Sequence, residues 1–156
     1  MAGDDTKIVA ETGARTIVLT RTIGAPRTQV FEAWTQPEHV THWWDPAGEP
    51  LAECAIDLRP GGTFRFVSAR SSGHESFEGV YRELVPPERI VFERNGLIGT
   101  IVFNADHKRT QLVVTIECKS EAERDQLLRM GIAVGTARTL DNLARYLGWS
   151  SERQAR

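Results

Sequence analysis

Four histidines are the first candidates for chemistry in this chain. His39 and His42 stand three apart in the stretch PEHVTHWW, with Asp45 just beyond. On a helix that spacing puts both imidazoles on one side, as a metal ion would need. A third ligand at a suitable spacing is missing, so no metal centre and no cofactor is expected. His74-Glu75 has the makings of an acid–base pair at a pocket rim, although its polar neighbours read as a solvated loop. His107 falls in a turn and is expected to be exposed. Neither a nucleophile elbow nor a phosphate-cradling loop is present, because Gly61-Gly62 has turn chemistry with no helix behind it. No catalytic residue is assigned.

Aromatic side chains offer binding rather than catalysis. Trp34, Trp43 and Trp44 form a cluster that fits either a plug of core or the wall of a cavity mouth for an apolar ligand. Phe64, Phe66, Tyr81 and Phe92 sit in alternating patterns that imply one buried face. Tyr81 adds a hydroxyl that needs a partner when buried. Glu53, Asp57, Arg65, Glu78 and Arg82 suit cross-strand pairs on an outer face. If Glu78 or Arg82 pointed inward instead, burial and pairing would make them acid–base candidates. A single bulge reverses strand parity, so both orientations stay open.

The elements that must position these residues follow from periodicity. Residues 1–14 show none and are expected to form a disordered tail. Arg15 to Ile23 alternates Ile17, Leu19 and Ile23 with Thr and Arg, which predicts a strand. Pro26 opens a short helix through Thr35, and Pro37 opens a second, PEHVTHWW, stopped by Asp45-Pro46-Ala47-Gly48. Six meandering strands are expected next: Glu53–Leu58, Thr63–Ser68, Glu75–Val85, Arg89–Arg94, Leu97–Asn104 and Gln111–Lys119. Their connections are short, so neighbours should pair antiparallel, and Asn95-Gly96 is a strong hairpin signal.

The rest of the chain should wrap around 120–148. Ser120 with Glu123 has the form of a capping box, acids fill the first turn, and Gly148 offers a stop. One helix of about 27 residues, roughly 40 Å long, is expected. Met130, Val134, Ala137, Leu140, Ala144 and Leu147 are read as its apolar stripe. Gly131, Ala133, Gly135 and Ala137 make the middle of that helix small. Small residues either let a sheet approach closely or leave a void in which a ligand could sit.

Composition narrows the classes. The 156 residues fit one domain, 15–149, with 150–156 as a short tail. A net charge of −2, from 19 basic and 21 acidic residues, comes with no basic block interleaved with aromatics, so nucleic acid is not expected as a partner. No apolar run approaches a membrane span and the first residues have no signal-peptide core, which predicts a cytoplasmic protein. Cys54 and Cys118 are expected to be reduced structural thiols, with one lone bridge between them left open.

The predicted architecture is α+β: a curved antiparallel sheet of six to seven strands around one long C-terminal helix, with two short helices after the first strand. This is the helix-grip, or START-like, arrangement. The stretches 20–44, IDLRPGGTFRF (56–66), GVYRELVPPERIVF (79–92) and GTARTLDNLARYL (135–147) carry a resemblance. Together they resemble the bacterial family named after the activator of heat-shock-protein-90 ATPase (AHSA-type). That family lies within the START/polyketide-cyclase/birch-pollen-allergen-like (SRPBCC) superfamily. The resemblance spans almost the whole chain after residue 14 and implies the helix-grip fold with an internal cavity. It does not imply one activity. Many relatives carry a Trp after the second Gly of the long helix, where this chain has Thr136, which changes how that helix packs.

The expected function is binding of a small, mostly apolar or amphipathic molecule between sheet and helix, with Trp44, Phe66, Tyr81, Phe92, Met130 and Val134 lining the site. A cyclase- or hydratase-like enzyme using the same cavity is the alternative. It requires a buried acid or base, which the sequence does not single out. A co-chaperone-like interaction domain ranks third. Such domains usually come with a partner-binding companion, so a heat-shock-protein-90-type chaperone is not expected as partner. A homodimer through a sheet face or the Trp-bearing helices is compatible with the pattern.

Overall fold

A computed structural model describes residues 6–69 and 76–155, the side chains of 149–155 excepted. The strands are β1 (Lys7–Val9), β2 (Thr16–Ile23), β3 (Leu51–Ile56), β4 (Thr63–Ser68), β5 (Ser76–Val85), β6 (Arg89–Arg94), β7 (Leu97–Asp106) and β8 (Arg109–Glu117). The helices are α1 (Arg27–Thr35), α2 (Pro37–Val40), α3 (Glu121–Arg129) and α4 (Ile132–Ala155). All eight strands form one antiparallel sheet in the order β1-β2-β8-β7-β6-β5-β4-β3. The chain leaves β2, crosses to the far edge through α1 and α2, and meanders back until β8 pairs with β2. An α+β fold with one large antiparallel sheet and a C-terminal helix is consistent with the helix grip.

Alternation builds the core. Ile17, Leu19 and Ile23 of β2, Ile101 and Phe103 of β7, and Leu112, Val114 and Ile116 of β8 are all buried on one face. Against it pack Val30 and Phe31 of α1 and Leu140, Leu143 and Leu147 of α4. The opposite face carries exposed cross-strand ion pairs. Arg65 lies between Glu53 (3.2 Å) and Glu78 (3.4 Å), Arg82 reaches Glu93 at 3.0 Å, and Arg89 meets Glu83. Glu78 and Arg82 therefore point outward. A bulge between Tyr81 and Glu83 makes Arg82 the extra residue, and Leu84 rather than Glu83 then returns to the core.

Three expectations need correction. The sheet has eight strands rather than six or seven, because residues 7–9, placed in a disordered tail, pair with β2. Three residues are too short for periodicity to register. Further contacts tie the same region down: the buried Arg124 donates to the Glu11 carbonyl at 2.5 Å, and Thr6 Oγ1 donates to Asp141 at 2.9 Å.

The second correction concerns α2, which ends at Val40 instead of running to Trp44. Isolated turn-type bonds carry the chain onward, with Trp43 N and Trp44 N both donating to Val40 O.

The third is the C-terminal helix, which is broken. Ser120 caps α3 as expected, accepting from Glu123 N at 3.1 Å, while Glu123 accepts from Lys119 N at 2.9 Å. At Gly131 the backbone turns left-handed (φ 90°), and α4 starts afresh and runs past Gly148 to Ala155. Met130 and Val134 are consequently 73% and 55% exposed. The stripe 134–137–140 advances in steps of three, each about 60° short of a full turn, and so drifts off the buried face. That face instead holds Ala133, Leu140, Leu143 and Leu147.

A Cβ at Gly131 would touch nothing within 4 Å, so the cost of Gly131→Ala is backbone strain alone. The expected loss is about 1–2 kcal/mol, read as a lowering of Tm by about 2–8 °C. An unchanged Tm would mean that the break is not fixed by this residue.

Candidate functional site

Between the buried sheet face and α4 lies a cavity of about 280 Å³. Its floor comes from Phe77, Phe92, Leu97, Gly99, Ile101, Val114 and Ile116 of the sheet, and its roof from Ile132, Gly135, Thr136, Thr139 and Leu140 of α4. Trp34, Trp44 and Pro46 close one side, and Arg94 is the charged residue among the lining. Ile101, Val114 and Leu140 are buried, whereas Pro46, Arg94, Leu97 and Thr136 are partly or fully exposed, so the cavity opens to solvent at the latter end.

Small residues make the space. On α4, Gly135 and Thr136 face it where bulkier side chains would fill it. On the sheet, Phe92 pairs across the ladder with Gly99 and lays its ring on the glycine. A Cβ there would sit 2.3 Å from the ring, so Gly99 is what allows Phe92 to lie flat as a wall.

The Trp loop is fastened over the cavity by polar side chains of α4. Thr139 Oγ1 lies 3.0 Å from Trp44 O, and Asn142 Nδ2 donates to Asp45 O at 2.9 Å. The buried Asp45 carboxylate accepts from Ala47 N at 3.0 Å and from Ser68 Oγ at 3.3 Å, joining the loop to β4. Thr139 and Asn142 stand three apart on α4, a polar pair that sequence reading passed over.

The three tryptophans divide between the two expected roles. Trp43 is fully buried, its Nε1 donating to Ala33 O at 3.0 Å, and is core. Trp34 and Trp44 line the cavity. Of the six residues expected to line it, Trp44 and Phe92 do so. Phe66 and Tyr81 stand behind them in a cluster of edge-on and tilted rings (Trp44–Phe66 4.8 Å, Phe64–Tyr81 5.2 Å, Phe64–Phe92 5.4 Å) and border a gap of about 20 Å³. Met130 and Val134 are exposed and do not border this cavity.

The tyrosine and cysteine nearest the cavity are held neutral, and the histidines of the α2 region are engaged. Burial raises the Tyr81 phenol well above its usual range, with the charge of Cys54 adding to this, so it stays protonated at neutral pH. Burial, with Glu38 second, pushes the Cys54 thiol up to about 11, and a thiol so shifted is a poor nucleophile. Cys54 and Cys118 are both free. His39 Nδ1 is 2.6 Å from Tyr146 Oη, and His42 stacks on the same ring. Among the described residues no group of three His, Cys, Asp or Glu is placed to hold a metal. His74-Glu75 lies outside the described residues.

Arg94 is the charged residue among the lining residues that sequence reading missed. It shares β6 parity with Ile90 and Phe92, and the Asn95-Gly96 turn, both residues at positive φ, pins that register.

With this geometry in view, a family model described as activator of Hsp90 ATPase homolog 1-like protein matches residues 24–148. The chain belongs to this family. No curated protein matches. Solved structures similar to this family member include protein NE0264 from Nitrosomonas europaea, with 21% identity and a TM-score of 0.80 over 91% of this chain and 99% of that one. A protein from Rhodobacter sphaeroides gives 21% and 0.81, over 92% and 99%. Protein CV1439 from Chromobacterium violaceum gives 27% and 0.65, over 84% and 95%. The first two speak for the fold alone. Among the described residues, no helix of this family member is long and apolar enough to cross a membrane.

Proposed function

We propose that the protein binds a small, mostly apolar molecule in the cavity between sheet and α4. The observation that carries this reading is the 280 Å³ space itself, walled by Trp44, Phe92, Ile101 and Leu140 and opening to solvent. A cavity of about 150 Å³ takes one benzene ring, so this one suits a bicyclic aromatic or a medium-length alkyl chain. Affinity would come from burying apolar ligand surface at roughly 25 cal/mol per Å², with a polar group or two fixing orientation. Among the described lining residues there is no carboxylate, imidazole or thiol, which favours binding over acid–base chemistry.

The test is a thermal-shift screen of fatty acids, flavonoids, polyketide-like aromatics and sterols, paired with native mass spectrometry. At a hundredfold excess over Kd a bound ligand contributes about 2.7 kcal/mol. That should raise Tm by about 5–10 °C with saturable dose dependence. No shift from any class would count against a binding cavity.

A further inference from the structure

One cation interrupts the otherwise apolar wall. Arg94 ends β6 on the same face as Phe92, and its guanidinium carbon lies 4.4 Å from the centroid of the Phe77 ring. Nη2 donates to the Ser76 carbonyl at 3.3 Å, while Nε is buried and has no acceptor. Among the described residues no carboxylate stands within ion-pairing distance of Arg94. Glu78, whose charge it feels, is exposed and engaged by Arg65 and Ser76. Arg21 also has a buried Nε without an acceptor, but its guanidinium has Asp141 at 3.4 Å. Arg94 is thus a partly desolvated cation beside an apolar cavity, with no carboxylate paired to it among the described residues. Leaving such a donor unanswered is costly, and a guanidinium keeps its proton even when burial lowers its pKa.

Resting on the cavity reading above, we propose that the occupant is an amphipathic monocarboxylate. Its apolar body lies between Trp44, Phe92 and Leu140, and its carboxylate accepts from the Arg94 guanidinium at the open end. A planar guanidinium matches a carboxylate with two parallel hydrogen bonds. A single positive charge in apolar surroundings balances one negative charge and leaves a dianion such as a phosphate monoester undercompensated. The cavity volume limits the body to roughly ten heavy atoms, scaling from benzene in about 150 Å³.

The experiment is calorimetric titration with matched pairs at pH 7.5: 2-naphthoate against 2-naphthalenemethanol, and decanoate against decanol. In the wild type the carboxylate of each pair should bind about tenfold tighter than the alcohol. Arg94→Met should abolish that preference, the acid of each pair losing more affinity than its alcohol, and Arg94→Lys should retain part of it. Raising salt on the wild type should weaken the carboxylate and spare the alcohol, a readout that needs no folded variant. Equal binding of acid and alcohol, or a preference that survives Arg94→Met, would overturn the anion assignment and leave the cavity reading standing. If neither member of either pair binds, both fall.

Discussion

Trp43→Ala is expected to remove about 3–5 kcal/mol of folding stability, the range for truncating a buried aromatic. In a domain of this size that lowers Tm by about 6–20 °C. Among the described residues Trp43 is the largest fully buried side chain, its ring tilted against Trp34 at 4.8 Å and edge-on to Trp44 at 5.7 Å. Truncation opens a void that Trp34 and Trp44, each held on another side, cannot both collapse into. It also strips the Ala33 carbonyl of its indole donor. Trp43→Phe keeps most of the packing and loses the hydrogen bond, so it should fall between wild type and alanine. Urea unfolding followed by far-UV circular dichroism measures both. A loss below about 1 kcal/mol for the alanine variant would show that Trp43 is not the plug described here.

Thr136→Trp should abolish ligand binding, by about a hundredfold or more, while leaving the protein folded. Thr136 sits in the α4 wall of the cavity, and an indole there would occupy much of the 280 Å³. It is the residue type that the family resemblance associates with this position. Filling a void commonly adds about 0.5–2 kcal/mol, so stability should hold or rise as affinity falls. That opposite movement separates a filled cavity from a damaged fold, which would lose both. The ligand found by thermal shift, titrated against the variant, decides the matter. Undiminished affinity would place the ligand elsewhere on the molecule.

Much of the fold was legible because strands with one buried face announce themselves by alternation, as in Ile17, Leu19 and Ile23. Short polar connections then dictate antiparallel neighbours. The break at Gly131 was not legible. Gly131 and Gly135 have the same local signature, yet one is a left-handed stop and the other lies inside α4. Only the packing of α3 and α4 on β2 and on each other decides which is which.

That ambiguity misplaced Met130 and Val134 relative to the cavity, because their expected position depended on one unbroken helix. Trp44 and Phe92 were reachable because aromatic residues beside turns and on buried strand faces have few other places to go. Arg94 was reachable in principle, since alternation from Ile90 and Phe92 leads straight to it. A charged side chain at the end of a strand reads as solvated until its surroundings are known.

The pairing of β2 with β8 has a consequence for how the molecule is made. Ile23 faces Thr110 and Thr16 faces Glu117, so the first long strand and the last strand complete the sheet together. Contacts so far apart in sequence carry a high loop-closure cost and slow folding. Synthesis proceeds from the N-terminus, so β2 emerges early and cannot meet β8 until Glu117 has been added. Until then Ile17, Leu19 and Ile23 are a sticky surface with no lasting cover, and the growing chain is at its most vulnerable to aggregation through the strand that anchors the finished sheet.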